Sequence, residues 1–139
     1  MKKIIIALLP FIVLTAKAQE EEKPSQKVEK FPKVSVRKKK KIAETLVKQG
    51  SYYNASEYYE DVLKAKPDNI KVVHQLAEIN RSLRDYKLAE KYYALEIEKD
   101  KDKWPNDMFF LGQMQKMNGK YDDAKKTFQD YLKVKLDKD

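Results

Sequence analysis

The sequence predicts an all-α fold of three stacked helical hairpins from Val36 onward, and three observations predict it. Small, turn and aromatic residues recur with a period of 34 and then 35 residues. Within each period the apolar residues form helical stripes. Finally, 3 Gly and 5 Pro in 139 residues are too few for a sheet cut by frequent turns. With 42% hydrophobic residues the chain can fill one small core, which excludes a wholly disordered protein.

The chain opens with the cationic Met1-Lys2-Lys3, an apolar run from Ile4 to Leu14 and the small residues of Ala16-Lys17-Ala18. That order is a secretory signal peptide over residues 1–18, cleaved before Gln19. The apolar run of about eleven residues is far short of the roughly 20 that a spanning helix needs, so no transmembrane segment is expected in the mature protein. The expected localisation is therefore exported, either periplasmic or outer-membrane associated. Removing Lys2, Lys3 and Lys17 lowers the formal charge from +8 to 8 − 3 = +5, which still favours anionic partners.

Residues 19–35 are charged, carry two prolines and show no apolar period, so they read as a disordered tether. The basic cluster Arg37-Lys38-Lys39-Lys40-Lys41 follows. It reads either as the solvated first turn of a helix or as a contact for an anionic envelope polymer or lipid head group; export argues against nucleic acid.

Residues 36–139 hold the repeat, in units of about 36–69, 70–104 and 105–139. Six columns agree on the period: Ala43, Ala77, Gly112; Gly50, Arg84, Gly119; Tyr52, Tyr86, Tyr121; Ala55, Ala89, Ala124; Tyr59, Tyr93, Phe128; and Leu63, Ile97, Leu132. In the first unit Ile42, Ala43, Leu46 and Val47 mark one buried helical face, and Tyr58, Tyr59, Val62 and Leu63 mark the next. Ala or Gly at the crossing lets paired backbones approach, and the aromatics fill the wedge toward the following unit. One hairpin cannot bury its stripe alone, so the units stack. Asp68 or Asn69 is expected to cap the third helix, Pro105 to start the fifth, and Asn118-Gly119 to make a tight turn. No further amphipathic helix follows Leu136, which leads to the expectation of a longer protein or of a partner over the last hairpin.

The period and residue types resemble the tetratricopeptide repeat (TPR) over residues 36–139. The resemblance implies a right-handed superhelical stack of three helix-turn-helix hairpins. It also implies a scaffold or adaptor that binds a protein or peptide in a concave groove lined by the first helix of each unit. The groove positions implied are Arg37, Lys40, Lys41, Glu44 and Lys48, then Lys71, His74, Gln75, Glu78 and Arg81, then Asn106, Phe109, Phe110, Gln113, Lys116 and Met117. Such a surface runs from basic to apolar and suits an acidic peptide with an apolar anchor at Phe109 or Phe110. Packing against a following helix is the other reading of those phenylalanines. The family's clamp for a carboxylate terminus needs an asparagine where this chain has Glu44 and a basic residue where it has Phe110, so that use is not implied. Signal peptide, tether and repeats together also resemble the leading region of Bacteroidota-type envelope proteins with propeller and OmpA-like peptidoglycan-binding domains, some of which serve type 9 secretion and gliding. The alternative function is direct binding of an anionic envelope polymer or lipid surface through the basic cluster.

Nothing in the sequence points to an enzyme. There is no cysteine, and His74 is the sole histidine, so neither a thiolate or multi-histidine metal site nor a Ser-His-Asp arrangement is expected. Asp100-Lys101-Asp102 fails as a calcium loop, since Pro105 and Leu111 stand where glycine and glutamate are needed. No glycine-rich phosphate loop occurs, and no cofactor, metal or nucleic-acid partner is expected.

Overall fold

The computed structural model describes residues 34–100 and 106–136. The expected signal peptide, the tether up to residue 33 and the Trp104-Pro105 helix start lie outside the described residues. Six helices and no strand occur among the described residues: α1 (Val36–Lys48), α2 (Tyr52–Ala65), α3 (Ile70–Ser82), α4 (Tyr86–Asp100), α5 (Asp107–Met117) and α6 (Tyr121–Leu136). Each helix packs on its neighbours in chain order, forming three hairpins in a row.

The turns inside the hairpins repeat atom for atom. Gly50, Arg84 and Gly119 take left-handed φ values of 74°, 61° and 77°. The next residue's N–H reaches back five positions, from Ser51 to Leu46 O, Asp85 to Asn80 O and Lys120 to Gln115 O, each at 2.9 Å. The left-handed residue itself donates to Val47 O, Arg81 O or Lys116 O at 3.0–3.1 Å. This pair of bonds closes the open carbonyls of a helix end and reverses the chain within three residues.

Helix starts are less uniform. Ser35, at the end of the expected tether, caps α1 by accepting from Lys38 N at 3.3 Å, and Asp85 Oδ1 accepts from Leu88 N at 3.0 Å. Asn69 holds the cap position of α3 but makes no side-chain cap bond, while Asp68 turns to Lys99 Nζ at 2.8 Å.

The core follows the columns. Ala43, Ala55, Ala77 and Ala89 are fully buried, as are Tyr59 and Tyr93 at 1% and 0% exposure. Gly112 sits against the Phe128 ring, with no room for a Cβ between them. Val72, Val73, Leu76 and Ile79 place α3 at the centre, between the first and third hairpins. Leu132, by contrast, is 55% exposed, because no described helix follows α6 to cover it.

Candidate functional site

The first helices of the hairpins, α1, α3 and α5, carry the residues that the tetratricopeptide resemblance assigns to a groove, with Asn106 at the N-cap of α5. Between α1 and α3 lies a cleft of about 430 Å³ lined by Lys40, Glu44, Lys71, His74 and Gln75, with Tyr59 of α2 beneath them. Five predicted residues thus meet there. Tyr59 joins them although the sequence reading placed it wholly in the core. Burial, then the nearby Glu44 carboxylate, pushes the Tyr59 phenol up to about 12, so it stays a neutral hydroxyl at ordinary pH.

The basic cluster divides in two. Lys39 pairs with Asp61 of α2 at 2.6 Å, and that bond holds the Asp61 carboxyl below the usual range. Lys40 lies 3.6 Å from Glu44 one turn along. Arg37, Lys41 and Lys48 are exposed and do not line the cleft.

Farther along α3, Glu78 and Arg81 are tied into a network. Arg81 donates to Glu78 Oε2 at 2.6 Å and to the Tyr93 hydroxyl at 2.9 Å, while that hydroxyl donates to Glu78 Oε1. Burial and the Glu78 bond push the Tyr93 phenol far up. The Arg81 guanidinium also lies 4.5 Å from the Phe110 ring centroid, a stacked cation–aromatic contact.

The two phenylalanines part company. Phe110 packs back on the second hairpin, 5.8 Å from the Tyr93 ring, beneath Arg81. Phe109 packs within its own hairpin, 5.6 Å from Phe128 and 5.7 Å from Tyr131, and stays 37% exposed. Of the remaining third-unit positions, Gln113 is half-buried, while Asn106, Lys116 and Met117 are exposed.

The structure also gathers a group that the sequence reading did not assemble. His74 of α3, Glu96 of α4 and Asp107 of α5 meet, with side-chain exposures of 17%, 1% and 5%. The Nδ1 atom of His74 lies 3.0 Å from Glu96 Oε1, 3.2 Å from Glu96 Oε2 and 3.0 Å from Asp107 Oδ2. Burial draws the imidazole down, but the bonds to Asp107 and Glu96 outweigh it and push His74 up to about 9. Burial also pushes Glu96 up to about 7, and Asp107 adds to this against the opposing pull of His74. The sole histidine, set aside because no second one exists, has two carboxylates as companions. One signal in the sequence bears on them: shifting by one repeat, Glu96 falls on Val62 (96 − 34) and Asp107 on Val72 (107 − 35), so two acids stand where the adjacent unit has core valines.

Residues 41–69 match the family model described as tetratricopeptide repeat. No curated protein matches the sequence. Among solved structures, the chain is similar to one titled "MamA MSR-1 C2", at 26% identity and a TM-score of 0.65. The likeness covers 73% of this chain and 57% of that one, so this chain spans little more than half of the other's length. Together with the six helices, these likenesses describe an all-α helical repeat stack of the tetratricopeptide type, the architecture of an interaction scaffold.

Proposed function

We propose that this chain is an exported adaptor of the bacterial cell envelope and that the cleft between α1 and α3 receives an extended acidic segment of a partner protein. The observation that carries the reading is the convergence of Lys40, Lys71, His74 and Gln75 on one cleft beside the buried Tyr59, a polar rim in which the cationic side chains outnumber the one acid, Glu44. Cationic side chains give such a cleft its preference for acidic segments, while the concave wall excludes water from the contact. Export is supported by the signal-peptide pattern of residues 1–18. The envelope setting, including an outer-membrane or peptidoglycan-associated secretion or gliding complex, rests on the resemblance of the arrangement of signal peptide, tether and repeats.

The test is selection from a library of acidic peptides with one central apolar residue, followed by titration against the full chain. Selected peptides should lose affinity by roughly ten-fold or more in Lys40→Glu/Lys71→Glu. No selected binder, or binders indifferent to both substitutions, would overturn the cleft reading. Binding of an anionic polymer that collapses with salt and depends on Arg37, Lys41 and Lys48 would establish the rival. Export is checked separately, by mass spectrometry of the native protein for an N-terminus at Gln19.

A further inference from the structure

We propose that His74, Glu96 and Asp107 form a binding site for one divalent ion of the zinc class, which clasps the second hairpin to the third. The adjacent unit supplies a comparison. Val62 and Val72, exposed by 1% and 0%, stand one repeat before Glu96 and Asp107, whereas the equivalents in the outer hairpins, Tyr131 and Lys38, are half-buried and exposed; the two acids thus occupy places that are core where a neighbouring hairpin covers them. Two carboxylates buried there cost several kcal/mol unless a cation offsets them.

The imidazole alone does this incompletely. Nδ1 carries at most one proton, yet three carboxylate oxygens lie 3.0–3.2 Å from it. Glu96 Oε1, on a side chain only 1% exposed, has no hydrogen bond of its own, because the Nδ1 atom 3.0 Å away is shared with Glu96 Oε2 and Asp107 Oδ2. A divalent ion satisfies all three residues at once. With neutral imidazole and two carboxylates the group becomes electrically neutral, and the Nδ1 proton leaves to solvent.

The spacing suits such an ion. Donor atoms about 2.0–2.2 Å from a tetrahedral centre lie roughly 3.3 Å from one another. The donors here all lie within 4.8 Å of one another, with both Nδ1 separations from the acids at 3.0 Å, so small side-chain rotations complete the geometry. One imidazole with two carboxylates suits zinc and its neighbours, whereas calcium takes six to eight oxygens and magnesium an octahedral shell. His74, the most exposed of the three, also lines the cleft, which gives water a route to the fourth position.

The test uses the tag-free, chelator-treated full chain, titrated calorimetrically with zinc and separately with calcium and magnesium. Zinc should bind one per chain and raise the melting temperature, with no comparable effect from the other two. Glu96→Gln and Asp107→Asn, which keep side-chain size, should each weaken zinc roughly ten-fold or more while helical circular dichroism persists. Should a variant fail to fold, zinc-edge X-ray absorption of the wild type decides: one imidazole nitrogen with oxygen ligands supports the site. Absence of stoichiometric zinc, a spectrum without imidazole, equal response to calcium, or folded variants that bind as the wild type does would overturn it.

Discussion

Gly112 and Phe128 touch so closely across the third hairpin that a Cβ on residue 112 would lie 2.6 Å from Phe128 Cε1 and 2.8 Å from its Cδ1. The glycine of the small-residue column therefore makes room for the aromatic of another column, and the ring in turn lies 5.6 Å from Phe109. Gly112→Ala forces the ring out of that packing at about 1–3 kcal/mol, against a gain of about 1 kcal/mol in helix propensity. A net loss of about 1 kcal/mol is expected from urea denaturation. In a Phe128→Ala background the clash is gone, so the same glycine substitution should become stabilising.

Ala89 is fully buried at the α3–α4 crossing, in one column with Ala55 and Ala124. Ala89→Leu should overpack the crossing and lower stability by roughly 1–3 kcal/mol. Ala94→Leu, on the exposed side of the same helix, should stay within about 0.5 kcal/mol. Thermal melts of the two variants make the comparison; equal melting temperatures would contradict the placement of Ala89.

Arg84 holds a left-handed backbone, φ 61°, in a column otherwise filled by glycine. A non-glycine residue there costs about 1–2 kcal/mol, and glycine returns part of this as unfolded-state entropy. Arg84→Gly should therefore stabilise by about 0.5–1 kcal/mol. Gly50→Ala and Gly119→Ala should destabilise by about 1 kcal/mol each, although neither Cβ would meet an atom within 4 Å. Chemical denaturation of the three variants separates backbone strain from steric overlap.

Tyr59 ionises at about 12 in the fold, against 10.0 for the free side chain, because burial and then Glu44 oppose its charge. A raised folded value means that its contribution is complete below pH 10 and is lost as pH climbs from 10 through 12. Over that window the loss is on the order of 2–3 kcal/mol. Tyr59→Phe should move the alkaline unfolding midpoint upward, measured by circular dichroism against pH; an unchanged midpoint would show that Tyr59 does not govern it.

The helices and hairpins were legible because their information is local and repeated. A small residue every 34 or 35 positions, apolar residues one turn apart and a left-handed turn residue each describe a contact that any such hairpin must make. Arg84 was recognisable as a turn from its column, even though its residue type argues against φ above zero. Phe109 and Phe110 were harder. Adjacent residues on a helix project about 100° apart, so one packs back on Tyr93 and the other within its own hairpin beside Phe128.

Residue pattern alone sufficed for the all-α class and the repeated helical hairpins, since periodicity dictates which side of each helix is buried, while the face that carries Lys40, Lys71 and His74 came from the resemblance to the tetratricopeptide repeat. Assembly in space was needed to bring Tyr59 under the cleft, to wrap Arg81 around Glu78, Tyr93 and Phe110, and to enclose His74 between Glu96 and Asp107. The reason is separation along the chain: His74 stands 22 residues from Glu96 and 33 from Asp107, on three different helices. A charged residue that leaves the apolar stripe looks solvated until the neighbouring helix closes over it, and closure is a property of the stack rather than of any one repeat.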